Sequence, residues 1–143
     1  MESCETEVSA QLRVVLVDAR EERRKLMVDV VEGGGDRARI VGEADSLEAA
    51  RRAIDEESAD AVVVDLRMPT AEGLRTVQEL RRTFPRLGIV VCSFDLSRAT
   101  IEEALLAGAD AYLPKPASPY ELVGALDAAR RQGSTAAVPA ATR

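Results

Sequence analysis

Continuous apolar runs alternate with segments of helical period along most of this chain. Residues 12–17 (LRVVLV), 61–64 (AVVV) and 87–92 (LGIVVC) are short runs with little polar alternation. Runs of this length suit strands buried on both faces, as in a parallel sheet. Ile40-Val41-Gly42 and Ala111-Tyr112-Leu113 read as two shorter strands. A helix is predicted over 21–32, with Leu26, Val30 and Val31 at helical spacing. Glu21 and Glu22 suit the positive end of its dipole, and Gly33-Gly34-Gly35 stops it. Asp45-Ser46 opens a second helix carrying Leu47, Ala50 and Ile54 on one face. Thr76, Val77 and Leu80 mark a third, ending near Phe84-Pro85. A fourth spans 98–107 and ends at Gly108. Ser118 caps the last, from 119 to about 131, with Leu122, Val123 and Leu126 as its stripe.

Strand and helix thus alternate five times. The order predicts an α/β fold, a five-stranded doubly wound parallel sheet with helices on both faces. The chain has 143 residues, which fits one domain. Its expected bounds are 12–132, with a polar tail at 1–11 and a flexible tail or linker at 133–143. Aromatic residues are only 3%, so the core must be aliphatic. A net charge of −6 argues against direct nucleic-acid binding, which wants a basic face. The absence of His removes His–metal sites and Ser-His-Asp triads. Cys4 lies in the tail, and Cys92 ends an apolar run as a buried small residue would. The acidic N-terminus is no signal peptide and no apolar run is long enough to span a membrane, so a cytoplasmic protein is expected.

In this architecture the C-terminal ends of the strands share one edge of the sheet, where ligands bind. Four strands deliver polar groups there: Asp18, Asp65, Ser93 and Lys115. Carboxylates suit a hard cation such as Mg²⁺, and a lysine with a hydroxyl suits a phosphoryl group. The chain has only two lysines, and Lys115 is held between Pro114 and Pro116. Plainer readings stand beside these. Asp65 is a loop acid or helix cap, Asp18 an N-cap, Ser93 a turn residue, Lys115 a solvated charge and Tyr112 an edge-packing ring. Gly33–Gly35 follows a helix and lacks GxGxxG spacing, so it is no dinucleotide fingerprint. A dehalogenase-like phosphatase needs a second Asp two residues after the first, where Arg67 stands.

LVD after the first strand, VVVDLRMP with Gly73 a turn later, CS after the fourth strand, and GADAYLPKP together resemble a response regulator receiver domain. The resemblance covers residues from about 12 to 131 and implies the (βα)5 flavodoxin-like fold. It implies that Asp65 accepts a phosphoryl group from a histidine kinase or phosphotransfer protein. Mg²⁺ would be held by Asp18, Asp65 and the backbone carbonyl of Arg67. Ser93 and Lys115 would contact the phosphoryl oxygens, Lys115 would pair with the Asp65 carboxylate beforehand, and Tyr112 would follow Ser93 as the switch aromatic. Signalling, and a possible homodimer, would use the face of the fourth helix, fifth strand and last helix. The resemblance implies no enzyme beyond self-phosphorylation and self-dephosphorylation, and no membrane or nucleic-acid contact.

Two positions depart from the family pattern. Ala19 stands where a second acid usually binds the metal, so Mg²⁺ binding is expected to be weak. Arg20 brings positive charge nearer, and Glu21 or Glu22 are the acids close enough in sequence to compensate. Phe94 follows the switch hydroxyl where a small residue is usual, and is expected to narrow access to Asp65. These departures favour a second reading, a pseudo-receiver acting as a phosphorylation-independent interaction or dimerisation module.

Overall fold

The computed structural model describes residues 11–66 and 70–134. Five strands form one parallel sheet in the order β2-β1-β3-β4-β5. They are β1 (Leu12–Val17), β2 (Ala38–Ala44), β3 (Ala61–Asp65), β4 (Gly88–Ser93) and β5 (Ala111–Pro114). The helices between and after them are α1 (Glu21–Glu32), α2 (Leu47–Glu57), α3 (Thr70–Thr83), α4 (Arg98–Ala107) and α5 (Pro119–Ser134). This is the doubly wound sheet that the alternation predicts. Among the described residues no helix is long and apolar enough to cross a membrane.

Alternate side chains of the central strands point to opposite faces of the sheet. Val15, Val17, Val62, Val64, Ile89 and Val91 pack with Ala50 and Ile54 of α2, Val77 and Leu80 of α3, and Ala104 of α4. Leu12, Val14, Leu16, Val63, Val90 and Cys92 pack on the other face with Val31 of α1 and Leu122, Val123 and Leu126 of α5. Both clusters are aliphatic, as the scarcity of aromatics requires.

The differences from the sequence reading have local causes. β2 is seven residues long instead of three. It is the edge strand, and its exposed Arg39 and Glu43 break up any apolar signal. Leu26 is 65% exposed, and α1 turns Met27, Val28, Val30 and Val31 to the core instead. α5 continues to Ser134, past residue 131 and into the segment read as tail. Gln11 is tied down by its side-chain amide, which donates to the Asp36 carbonyl at 2.9 Å. The rest of the N-terminal tail, Arg67 and residues 135–143 lie outside the described residues.

Caps follow the sequence signals. Ser46 Oγ accepts from the Ala49 amide at 3.2 Å. Ser118 and Glu121 form a reciprocal capping box at the start of α5. Gly88 lets β4 approach α5: a Cβ there would lie 2.9 Å from the Arg130 nitrogen and 3.0 Å from the Ala129 carbonyl carbon. Backbone atoms cannot yield as side chains do. Gly88→Ala is therefore expected to cost about 1–3 kcal/mol of stability, read as a lower urea midpoint at unchanged slope. An unchanged midpoint would show that α5 shifts freely.

Candidate functional site

Sheet register brings the four polar groups together. Val17 pairs with Val64, which sets Asp18 beside Asp65. Asp65 pairs with Cys92, and the Leu66 amide donates to the Cys92 carbonyl at 3.0 Å. Ser93 pairs with Pro114, and the Lys115 amide donates to the Ser93 carbonyl at 2.8 Å. Residues far apart in sequence thus reach one sheet edge through backbone pairing alone.

Lys115 Nζ donates to Asp65 Oδ2 at 2.6 Å, and the two side chains are only 8% and 4% exposed. The Lys115-Pro116 peptide bond is cis. Asp65 Oδ1 is buried and has no hydrogen-bond partner among the described residues. Burial first, and then the adjoining Asp18 carboxyl, push the Asp65 carboxyl up to about 6 against the pull of Lys115. A buried oxygen without a donor, beside a second carboxylate, is a position that a cation would stabilise.

The pocket in front of Asp65 has a volume of about 330 Å³. Asp18, Ala19, Arg20, Gly73 and Thr76 line part of its wall. Asp18 Oδ1 accepts from the Arg20 amide at 3.0 Å, so it orders the β1–α1 turn. Arg20 itself is the N-cap residue of α1 and makes no side-chain cap. Glu21 and Glu22 are exposed on the first turn and do not line the pocket. The acids that do, besides Asp18 and Asp65, are Asp45 and Glu72. Neither was singled out by sequence, because each lies on an element distant in the chain from Ala19. A Cβ on Gly73 would meet the tip of the Leu66 side chain, which would have to shift to admit it.

Two carboxylates fit Mg²⁺, which commonly keeps several waters and takes one or two protein carboxylates plus phosphate oxygens. Asp18 and the unpartnered Asp65 Oδ1 are those two. Among the described residues no group of three acids, cysteines or histidines converges to hold a metal. The Arg67 carbonyl lies outside the described residues.

Ser93 is 2% exposed. Its Oγ donates to the Leu66 carbonyl at 2.9 Å and accepts from the Asp95 amide at 3.0 Å. Tyr112 donates its hydroxyl to the Asp95 carbonyl at 2.5 Å, so its ring spans from β5 to the β4–α4 loop that follows Ser93. Asp95 organises that loop through the Ser97 amide and the Thr100 hydroxyl, both at 2.8 Å. Sequence reading missed Asp95; its signal was the Ser97…Thr100 spacing of a helix cap. The Asp95 carboxyl is held below its ordinary value by these bonds, that to the Ser97 amide foremost.

The expectation for Phe94 needs correction. Its ring is absent from the wall of the Asp65 pocket. It lies on the other side of Lys115, in a smaller apolar pocket of about 180 Å³ with Leu26, Met27, Cys92 and Pro116. Its backbone in the β4–α4 loop turns the side chain toward α1. Cys92 is fully buried there, and burial pushes its thiol up to about 12, in keeping with a structural cysteine.

Comparison with known proteins follows the same lines. The profile of the response regulator receiver domain matches residues 14–127. The chain is 31% identical over 115 residues to the chemotaxis protein CheY of Thermotoga maritima, covering 80% of this chain and 94% of that one. It is 34% identical over 123 residues to a protein-glutamate methylesterase/protein-glutamine glutaminase of Azospirillum brasilense. That match covers 85% of this chain but spans only 31% of that relative's length. A two-component response regulator of the LuxR family from Aurantimonas sp. SI85-9A1 superposes with a TM-score of 0.74 at 28% identity, covering 85% of this chain and 86% of the other.

Proposed function

Because this chain belongs to the response regulator receiver family, we propose that it accepts a phosphoryl group on Asp65 from a histidine kinase or phosphotransfer protein. The observation that carries this reading is the buried Lys115–Asp65 pair with one Asp65 oxygen left unpartnered. In the transfer, an Asp65 oxygen bonds to phosphorus as the P–N bond of a donor phosphohistidine breaks. The electron pair leaves with the imidazole nitrogen, which takes up a proton. Lys115 offsets the charge that builds on the phosphoryl oxygens. Mg²⁺ would supply further positive charge and would be held by Asp18 and Asp65; the Arg67 carbonyl, its third expected ligand, lies outside the described residues.

Ser93 leaves the Leu66 carbonyl for a phosphoryl oxygen, and the Asp95 loop moves with it. Tyr112, bonded to that loop, carries the change to the face of α4, β5 and α5. Exposed Leu106 of α4 and Tyr120 of α5 suit that face to a protein partner or a second copy of the chain. A phosphohistidine donor supports a cytoplasmic setting for this chemistry.

The test is incubation with phosphoramidate and Mg²⁺, followed by intact mass. One phosphoryl group should add to the native protein and none to Asp65→Asn. No adduct on the native protein counts against the reading. A phosphorylation-independent interaction module is then favoured, a second reading supported by Ala19 in the pocket wall.

A further inference from the structure

Phe94 is 57% exposed, and yet its ring has two cationic neighbours. Lys115 Nζ lies 5.5 Å from the ring centroid and Arg23 Cζ lies 5.9 Å from it. Lys115 is the more demanding of the two. Its ammonium carries three N–H donors, is largely withdrawn from water, and bonds to Asp65 Oδ2 alone among the described residues. A buried cation with donors left over needs negative potential from another direction. The face of an aromatic ring within about 6 Å provides it.

We propose that Phe94 is a positioning residue for the Asp65 site, its ring seating the Lys115 ammonium against Asp65 while Arg23 of α1 steadies the ring. The arrangement explains why a large residue is accommodated directly after Ser93. The ring is absent from the wall of the Asp65 pocket and instead shares a smaller pocket with Lys115. It also ties α1 to the site, because the same ring receives Arg23. The competing explanation is simple apolar cover, since Leu26, Met27 and Pro116 line the same small pocket. The two explanations separate on the ring's π face: cover needs volume, whereas seating a cation needs the quadrupole. The functional consequence rests on Asp65 as phosphoryl acceptor; the seating of Lys115 does not.

Three proteins decide it: native, Phe94→Tyr, which keeps the ring, and Phe94→Leu, which keeps apolar volume alone. Leu96→Ala, at an exposed position in the same loop, serves as the control. The first readout is the side-chain ammonium signal of Lys115 in ¹H–¹⁵N NMR, easily assigned because the only other lysine is the exposed Lys25. Native and Phe94→Tyr should show a slowly exchanging, ring-shifted ammonium, and Phe94→Leu should lose it to exchange with water. The second readout is the rate of phosphoryl addition from phosphoramidate. Phe94→Leu should be about 5- to 10-fold slower, with Phe94→Tyr and Leu96→Ala within about 2-fold of native. Retention of the ammonium signal in Phe94→Leu overturns the proposal. If the native protein forms no adduct, the acceptor reading fails and the ammonium signal alone judges the role of Phe94.

Discussion

Arg81→Ala is expected to lower the unfolding free energy by about 3–4 kcal/mol. Arg81 lies near the end of α3, and its guanidinium clamps the α3–β4 loop to the α4–β5 loop. Nε donates to the Gly108 carbonyl at 3.0 Å, and Nη1 donates to the carbonyls of Pro85 at 2.9 Å and Leu87 at 2.7 Å. Nη2 meets Asp110 Oδ2 at 2.9 Å, and that oxygen also accepts from the Ile89 amide at 2.8 Å. Removing the side chain leaves several part-buried acceptors without a donor and a part-buried carboxylate without its cation. Gly108 belongs to the same device: its φ is +126° and a Cβ on it would lie 2.8 Å from Arg81 Cβ and Cγ. Arg81→Lys should recover only a fraction, because an ammonium cannot address several diverging acceptors as a planar fork does. Urea unfolding checks it, the midpoint falling at constant slope. A loss below about 1 kcal/mol would mean that water replaces the guanidinium at little cost, as at an exposed ion pair.

Ala19→Asp is expected to raise Mg²⁺ affinity about 10- to 100-fold. The position is exposed, follows Asp18 directly and lines the pocket in front of Asp65. A third carboxylate would share the cation with Asp18 and the unpartnered Asp65 Oδ1. With only Asp18 and Asp65 as carboxylate ligands, the proposed Mg²⁺ site of the native protein would bind more tightly once phosphoryl oxygens completed the shell. Thermal unfolding over a Mg²⁺ series measures the difference, since a ligand that binds only the folded state raises Tm with concentration. The variant should respond at roughly 10- to 100-fold lower Mg²⁺ than the native protein, and chelator should abolish both responses. In chelator the variant should melt below native, because three like charges then face one another. Equal responses would show that Asp45 or Glu72, in the same pocket wall, already completes the site.

Much of this protein was legible from local pattern. The bounds of β1, α1 and α4 agree with the reading, because an uninterrupted apolar run or a capped helical period is a property of neighbouring residues. β2 was under-read because an edge strand needs no apolar run, and Leu26 was over-read because spacing alone does not choose among adjacent apolar residues. Asp18, Asp65, Ser93 and Lys115 were legible as a set because each directly follows or ends a recognisable strand, and parallel strands must end at one edge.

By itself, then, the sequence determined the order of elements, the doubly wound sheet and the polar groups that share its active edge. Only the tertiary structure decided which atoms meet there. Lys115 reaches Asp65 across 50 residues of chain, Phe94 turns toward that lysine and away from the pocket, and Arg81 joins two loops beside Gly108. Such contacts depend on strand register, helix packing and side-chain rotamers together. No local period encodes those: the Lys115–Asp65 pair was expected only through the family resemblance, and the contacts of Phe94 and Arg81 were not expected at all.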